Sequence, residues 1–247
     1  MKKYNITILS FIFFSHISLA ETGGIYLDTT RVIFDSNDLS TKVKFNNNTD
    51  KNWLLRAWVS DYNSKNKNDN FIITPPLYKI SANESFQFKI DKLKENFPND
   101  RESIFHINVM AIPPITNDEK DSNNTVQFAI NTRIKLIYRP HKINNKNQVS
   151  DAYKNLKITS SKETLTVSNP SPYYITMNDV KINGKNITSI KDFMVSPFST
   201  LIIPEKNAKT ISYSTINDYG GGNDSNLLIV FYVQIMPDDL VMQLHRF

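Results

Sequence analysis

The chain has 247 residues, no cysteine, and 29 lysines and arginines against 24 acidic residues, a formal charge of +5. The lack of thiols excludes disulfides, thiolate catalysis and cysteine metal sites. Lys2 and Lys3 fall in a leader, so 27 basic residues face 24 acidic ones in the remainder, +3, which predicts a solvated mixed-charge surface and no nucleic-acid partner.

Met1-Lys2-Lys3, an apolar run over residues 8–14 and the small residues Ser18 and Ala20 before Glu21 have the pattern of a secretory signal peptide. The apolar run is too short to cross a bilayer. Residues 1–20 are therefore expected to be removed on export, leaving about 227 residues, enough for one large domain or two of ordinary size, of which the pattern below favours two.

Beyond Glu21, apolar and polar residues alternate in short runs, the two-residue period of half-buried strands. In chain order the predicted strands cover residues 31–34, 42–45, 53–59, 86–90, 104–112, 126–138, 165–167, 173–177 and 227–235. Residues 93–97 could form one helical turn, which Pro98 would stop. Thr74-Pro75-Pro76 and Ile112-Pro113-Pro114 read as rigid strand ends, because proline has no N–H for a ladder. The Asn- and Lys-rich stretches 63–70 and 117–124 read as exposed loops. Residues 140–150, proline followed by a polar stretch, mark a break between two units. Three of the six glycines stand together at Gly220-Gly221-Gly222, which suggests a specific backbone turn.

The pattern is all-β and predicts two immunoglobulin-like β-sandwich domains, at residues 21–142 and 143–247. Motifs for catalysis or for cradling phosphate are absent, and His106, His141 and His245 lack metal-ligand spacing. The expectation is a binding protein without cofactor or metal, and not an enzyme. Trp53 and Trp58, five positions apart, should point to opposite faces of one strand, at least one of them into the core.

Six segments occur in an order that resembles the periplasmic pilus chaperones of the PapD-like family. They are Thr30-Arg31-Val32-Ile33-Phe34, Asp100-Arg101-Glu102-Ser103-Ile104-Phe105, Ile112-Pro113-Pro114, residues 133–140 (RIKLIYRP), Asn169-Pro170-Ser171-Pro172-Tyr173-Tyr174, and Ile216-Asn217-Asp218-Tyr219-Gly220-Gly221. The resemblance spans the mature chain. It implies two sandwiches set at an angle, a client cleft between them, and donor-strand complementation, a known form of strand addition in which the chaperone lends a strand to an incomplete pilus subunit.

Carried over residue by residue, the resemblance makes residues 126–135 the lent strand, with Val126, Phe128 and Ile130 facing the subunit. Alternation alone would equally suit a strand facing its own core. It makes Arg31 and Lys135 the two cations that grip the subunit's terminal carboxylate, and Glu102, Arg139 and Asp218 a charge network between the domains. The partners it implies are pilus subunits, bound through their C-terminal carboxylate and incomplete groove, and an outer-membrane usher. Weak self-association of the free protein over its exposed strand stays open. The stretch between Pro114 and Val126, about a dozen polar residues, resembles the short-loop chaperones. A competing reading is a secreted structural or adhesive sandwich, either a fimbrial subunit or a carbohydrate-binding module with Trp53, Trp58 or tyrosines as sugar platforms. The tail 236–247 has no assigned role.

Overall fold

The structure, a computed structural model, describes residues 23–64, 66–114, 127–190, 192–222 and 227–230. Among the described residues the first unit holds nine strands: β1 (Ile25–Leu27), β2 (Arg31–Asp35), β3 (Ser40–Asn47), β4 (Trp53–Asp61), β5 (Phe71–Thr74), β6 (Leu77–Ile80), β7 (Ser85–Lys92), β8 (Ser103–Ile112) and β9 (Ile130–Arg139). They form two sheets, β1-β3-β7-β5 and β2-β9-β8-β4-β6. Alternation puts Val43 and Phe45, Phe88 and Ile90, Leu55 and Ala57, and Ile107 and Val109 between the sheets, where they close one core with Phe34 and Leu136. The chain changes sheets between β1, which pairs with β3, and β2, which runs parallel to β9.

The second unit begins with α1 (Lys146–Ala152) and continues through β10 (Lys157–Ser160), β11 (Leu165–Ser168), β12 (Ile175–Ile182), β13 (Lys185–Asn186), β14 (Met194–Val195), β15 (Thr200–Ile203), β16 (Thr210–Ile216) and β17 (Leu227–Val230). One sheet is β10-β11-β15; the other is β13-β12-β16-β17, with β14 on β12. Its core gathers Ile158, Leu165, Ile175, Ile203 and Ile211, a cluster separate from the first.

Three expectations change. Residues 93–97 form no helical turn. They run as irregular chain, and the Phe97 ring stacks on Phe71 and packs on Phe105 and Tyr138, so aromatic burial decides that segment. The loop after β4 is not wholly exposed: Asn68 is buried and donates to Asp61 at 2.6 Å, which closes the turn. The break at 140–150 runs into α1, whose N-terminus is capped by the Asn145 side chain accepting from the N–H groups of Asn147 and Gln148. Val149, Ala152, Tyr153 and Leu156 are buried along that segment, at helical spacing. Of the two tryptophans, Trp53 packs against the first core and Trp58 lies under Arg56, 5.3 Å from its guanidinium carbon.

Candidate functional site

The two units meet at three charged residues, one before β8, one ending β9 and one in the turn after β16. Arg139 donates through Nε to Glu102 Oε1 at 2.6 Å and through Nη1 and Nη2 to the two Asp218 oxygens at 2.7 and 2.8 Å. The second Glu102 oxygen accepts the Tyr174 N–H at 2.7 Å, and the Tyr153 hydroxyl donates to Asp218 at 2.7 Å. The Glu102 N–H donates to the Pro172 carbonyl, so backbone joins the units as well. Both Glu102 and Arg139 are almost fully buried. Burial pushes Asp218 up, but hydrogen bonds and charge from Arg139 outweigh it and hold its carboxyl below the usual range. Burial likewise works against the Arg139 charge, yet Asp218 and Glu102 together hold its pKa above the ordinary value. Burial raises Glu102 despite Arg139, which is the desolvation penalty expected of an ion pair removed from water. The structure thus brings Glu102, Arg139 and Asp218 into one clasp.

Gly220 shapes the turn that carries Asp218. Its φ is +82°, and a Cβ there would lie 2.4 Å from Thr30 Oγ1. Gly220→Ala is expected to cost about 1–2 kcal/mol in urea unfolding, because a side chain at this φ is strained and Thr30 must rotate away. Unchanged stability would mean the turn relaxes without loss.

Arg31 and Lys135 sit opposite each other in the parallel β2–β9 register, which presents both to one face of the sheet. Arg31 is only 5% exposed; its Nη1 donates to the Ile216 carbonyl at 3.3 Å, and among the described residues its Nε has no hydrogen-bond partner. Lys135 Nζ lies 3.4 Å from Thr176 Oγ1 and 3.7 Å from Asp192 Oδ1, both in the second unit. Burial lowers the pKa of both, and for Lys135 the Arg31 charge lowers it further. Two desolvated cations side by side are a place where an anion gains from both. Behind Arg31, a cavity of about 600 Å³ is lined by Arg139, Val149, Tyr153, Asp218 and Tyr219 among others.

The strand that carries Lys135 is only partly flanked. It pairs with β8 from Ile130 to Tyr138 but with β2 only from Lys135 to Arg139. Residues 130–134 therefore have a free backbone edge in the described residues, ending at the two cations. Phe128 is 76% exposed and Ile130 49% exposed. Ile130 shares its parity with Ile134, Leu136 and Tyr138, all buried in the first core, so the apolar row leaves the sandwich as it approaches the open end. Val126 lies outside the described residues.

The strand expected from residue 126 begins at Ile130, which is a correction. Ala111 faces Ile130, so continuing the register would set Pro113 and Pro114 opposite residues 128 and 127. Neither proline can donate to a ladder, and the pairing stops there. Phe128 thus precedes the strand and is not part of it.

Sequence reasoning missed two residues at this site. Tyr62, just after β4, stacks on His106 with ring centroids 4.5 Å apart and donates its hydroxyl to Asp192. Both Tyr62 and Asp192 sit in loops, where no periodicity marks a side chain.

Residues 24–144 match the family model described as pili and flagellar-assembly chaperone, PapD N-terminal domain, and residues 151–227 match that of the pili assembly chaperone PapD, C-terminal domain. The chaperone protein FocC of Escherichia coli is 35% identical over 218 residues, covering 86% of this chain and 92% of FocC. The chaperone protein LpfB of Salmonella typhimurium is 34% identical over 206 residues, covering 82% and 87%. Among solved structures, the periplasmic chaperone SfaE superposes with a TM-score of 0.67 at 32% identity, covering 81% of this chain and 96% of SfaE. A complex of the SafA pilin with the SafB chaperone from Salmonella enterica gives 0.72 at 27%, covering 81% of this chain and 93% of the matched one. These relatives favour a chaperone over a fimbrial subunit or a carbohydrate-binding module. With both of its units matched in order and relatives this similar over most of its length, the chain belongs to the PapD-like family of pilus-assembly chaperones.

Proposed function

We propose that this chaperone binds incomplete pilus subunits by lending the free edge of β9, with Arg31 and Lys135 holding the subunit's terminal carboxylate. The observation that carries the reading is the coincidence of an unpaired strand edge with two desolvated cations at its end. A client strand along residues 130–134 whose last residue reaches Arg31 must run in the same direction as β2, and so parallel to β9. Its backbone continues the sheet where β2 leaves off. Ile130 and Phe128, with Val126 beyond them, supply apolar side chains to the client's groove, each contributing about 1.5–3 kcal/mol if fully buried. The carboxylate grip fixes register, which strand pairing alone leaves loose.

In this reading Glu102, Arg139 and Asp218 set the angle between domains at residues 21–142 and 143–247, so that Arg31 and Thr176 face one cleft. The leader, residues 1–20, directs the chain to the periplasm and is removed there. The subunit then passes to an outer-membrane usher without nucleotide, driven by the client's own folding. The stretch 115–126 suits a chaperone of the short-loop type, and the exposed row gives the free protein a surface for weak self-association.

Co-expression with a candidate pilin tests this. The pilin should survive in periplasmic extracts as a one-to-one complex, and intact mass should place the chaperone's N-terminus at Glu21. Ile130→Asp should lose most of the complex while the free variant keeps its circular dichroism and melting temperature, since that side chain is half exposed. A variant that unfolds would assign Ile130 to the protein's own core; one that protects the pilin normally would remove β9 as the lent edge.

A further inference from the structure

We infer that Asp192, held by Tyr62, is a resident substitute for the client's carboxylate, closing the cleft in the free protein and restricting entry to ligands with a free chain terminus. The inference rests on the anchoring role proposed for Arg31 and Lys135, and it concerns residues outside that anchor.

The two cations are unequally prepared. Lys135 is already within 3.7 Å of a carboxylate oxygen of Asp192, whereas among the described residues the Arg31 guanidinium donates to the neutral Ile216 carbonyl and its Nε has no partner. The second Asp192 oxygen accepts the hydroxyl of Tyr62. Tyr62 belongs to the first unit and Asp192 to the second, so this contact crosses the cleft from wall to wall. The Tyr62 ring is in turn braced on His106, which faces Lys135 in the β8–β9 register. Tyr62, Asp192 and Lys135 thus form a further crossing between the units, distinct in its residues from the Glu102, Arg139 and Asp218 clasp.

The two crossings differ in how easily they open. The clasp places Arg139 and Glu102 side chains at 3% and 1% exposure and a distance of 2.6 Å. In the latch, Asp192 is 48% exposed and its distance to Lys135 is longer. A pair that is long and half in water contributes little, so it can yield to a competitor, while a short and buried one cannot. An incoming carboxylate reaches both Arg31 and Lys135 and can displace Asp192 into solvent. A ligand without a carboxylate would have to break the Lys135–Asp192 pair and leave the cation bare. Asp192 therefore sets specificity for chain ends by competing with everything else.

The test uses the mature chaperone and a synthetic peptide of alternating apolar residues, made once with a free C-terminal carboxylate and once as the amide. Asp192→Asn keeps the shape and removes the competing charge, and should tighten the free-acid peptide about two- to fivefold. The amide should gain by a similar factor, because in the wild type it too must break the Lys135–Asp192 pair, so entry is no longer restricted to ligands with a free chain terminus. Tyr62→Phe frees Asp192 from its brace and should shift affinity in the same direction by less. If Asp192→Asn binds the acid no better than wild type while Lys135→Ala has lost the preference for acid over amide, the anchor stands and the latch is refuted. If Lys135→Ala retains that preference, the anchoring role itself fails and the latch with it.

Discussion

Arg31→Ala and Lys135→Ala are each expected to reduce recovery of a co-expressed pilin at least about tenfold, with the free chaperone still folded. A charge-assisted hydrogen bond contributes about 1.5–3 kcal/mol, and about 1.4 kcal/mol is a factor of ten in affinity. Each substitution removes such bonds from a carboxylate that the remaining cation must then hold alone. Stability should suffer little, for reasons visible in the free protein. Arg31 makes no ion pair among the described residues, and burial outweighs the attraction of Asp218 and Glu102 and works against its protonated form. Among the described residues the Lys135 ammonium has the long contact to Asp192 and one to Thr176. Deleting either cation therefore relieves desolvation and mutual repulsion as it removes weak contacts. The measurement pairs pilin recovery from periplasmic extract with the melting temperature of the purified variant. Normal protection by both variants would sink the carboxylate grip, and loss of protection through unfolding would recast Arg31 as a structural residue. Arg31→Lys separates charge from geometry, since a lysine keeps the charge but not the fork of donors, and intermediate recovery is the expected result.

How much of this was legible in the sequence follows from which interactions are local. The long strands β3, β4, β7 and β8 announce themselves because each faces a core on one side, and period two is then forced on the residues. Ile25–Leu27, Phe71–Thr74 and Leu77–Ile80 are too short to display a period, and pairing partners far along the chain define them. The helix α1 was readable but overlooked: Asn145 is a capping residue, and Val149, Ala152 and Tyr153 follow at helical spacing. The start of β9 was not readable from its own residues, because the prolines that end its pairing belong to another segment. Glu102, Arg139 and Asp218 show no local signal at all, lying 37 and 79 positions apart along the chain. Only resemblance to a family brought them together before the structure did. Tyr62 and Asp192 escaped even that, since a hydrogen bond across a cleft leaves no trace in either flanking sequence.

Arg139→Ala is expected to destabilise the protein by about 3–5 kcal/mol in denaturant, the largest loss of stability anticipated for any single change here. It would strand Glu102, whose side chain is 1% exposed, and Asp218 without their shared cation. The loss alone would not show that the clasp sets geometry, because any stranded buried charge is costly. The triple variant Glu102→Gln, Arg139→Met, Asp218→Asn separates the two effects. It removes all three charges together and should recover most of the stability, since burying an ion pair is itself expensive. If the clasp holds the units at their angle, the triple variant should still show a broader small-angle scattering profile and poor pilin recovery. Arg31 and Lys135 come from the first unit and Thr176, Asp192 and Ile216 from the second, so the cleft exists only while the units keep their orientation. Acid should weaken the clasp through Asp218 first in energetic terms. Its pKa is depressed on folding, so its contribution is whole above the ordinary carboxylate value of 3.8 and disappears as pH falls through the lower folded value. Glu102, raised by burial, works in the opposite sense and is relieved by protonation. Near neutral pH the orientation should therefore hold, and a triple variant with wild-type scattering and full client recovery would show that backbone contacts such as Glu102 N–H to Pro172 suffice.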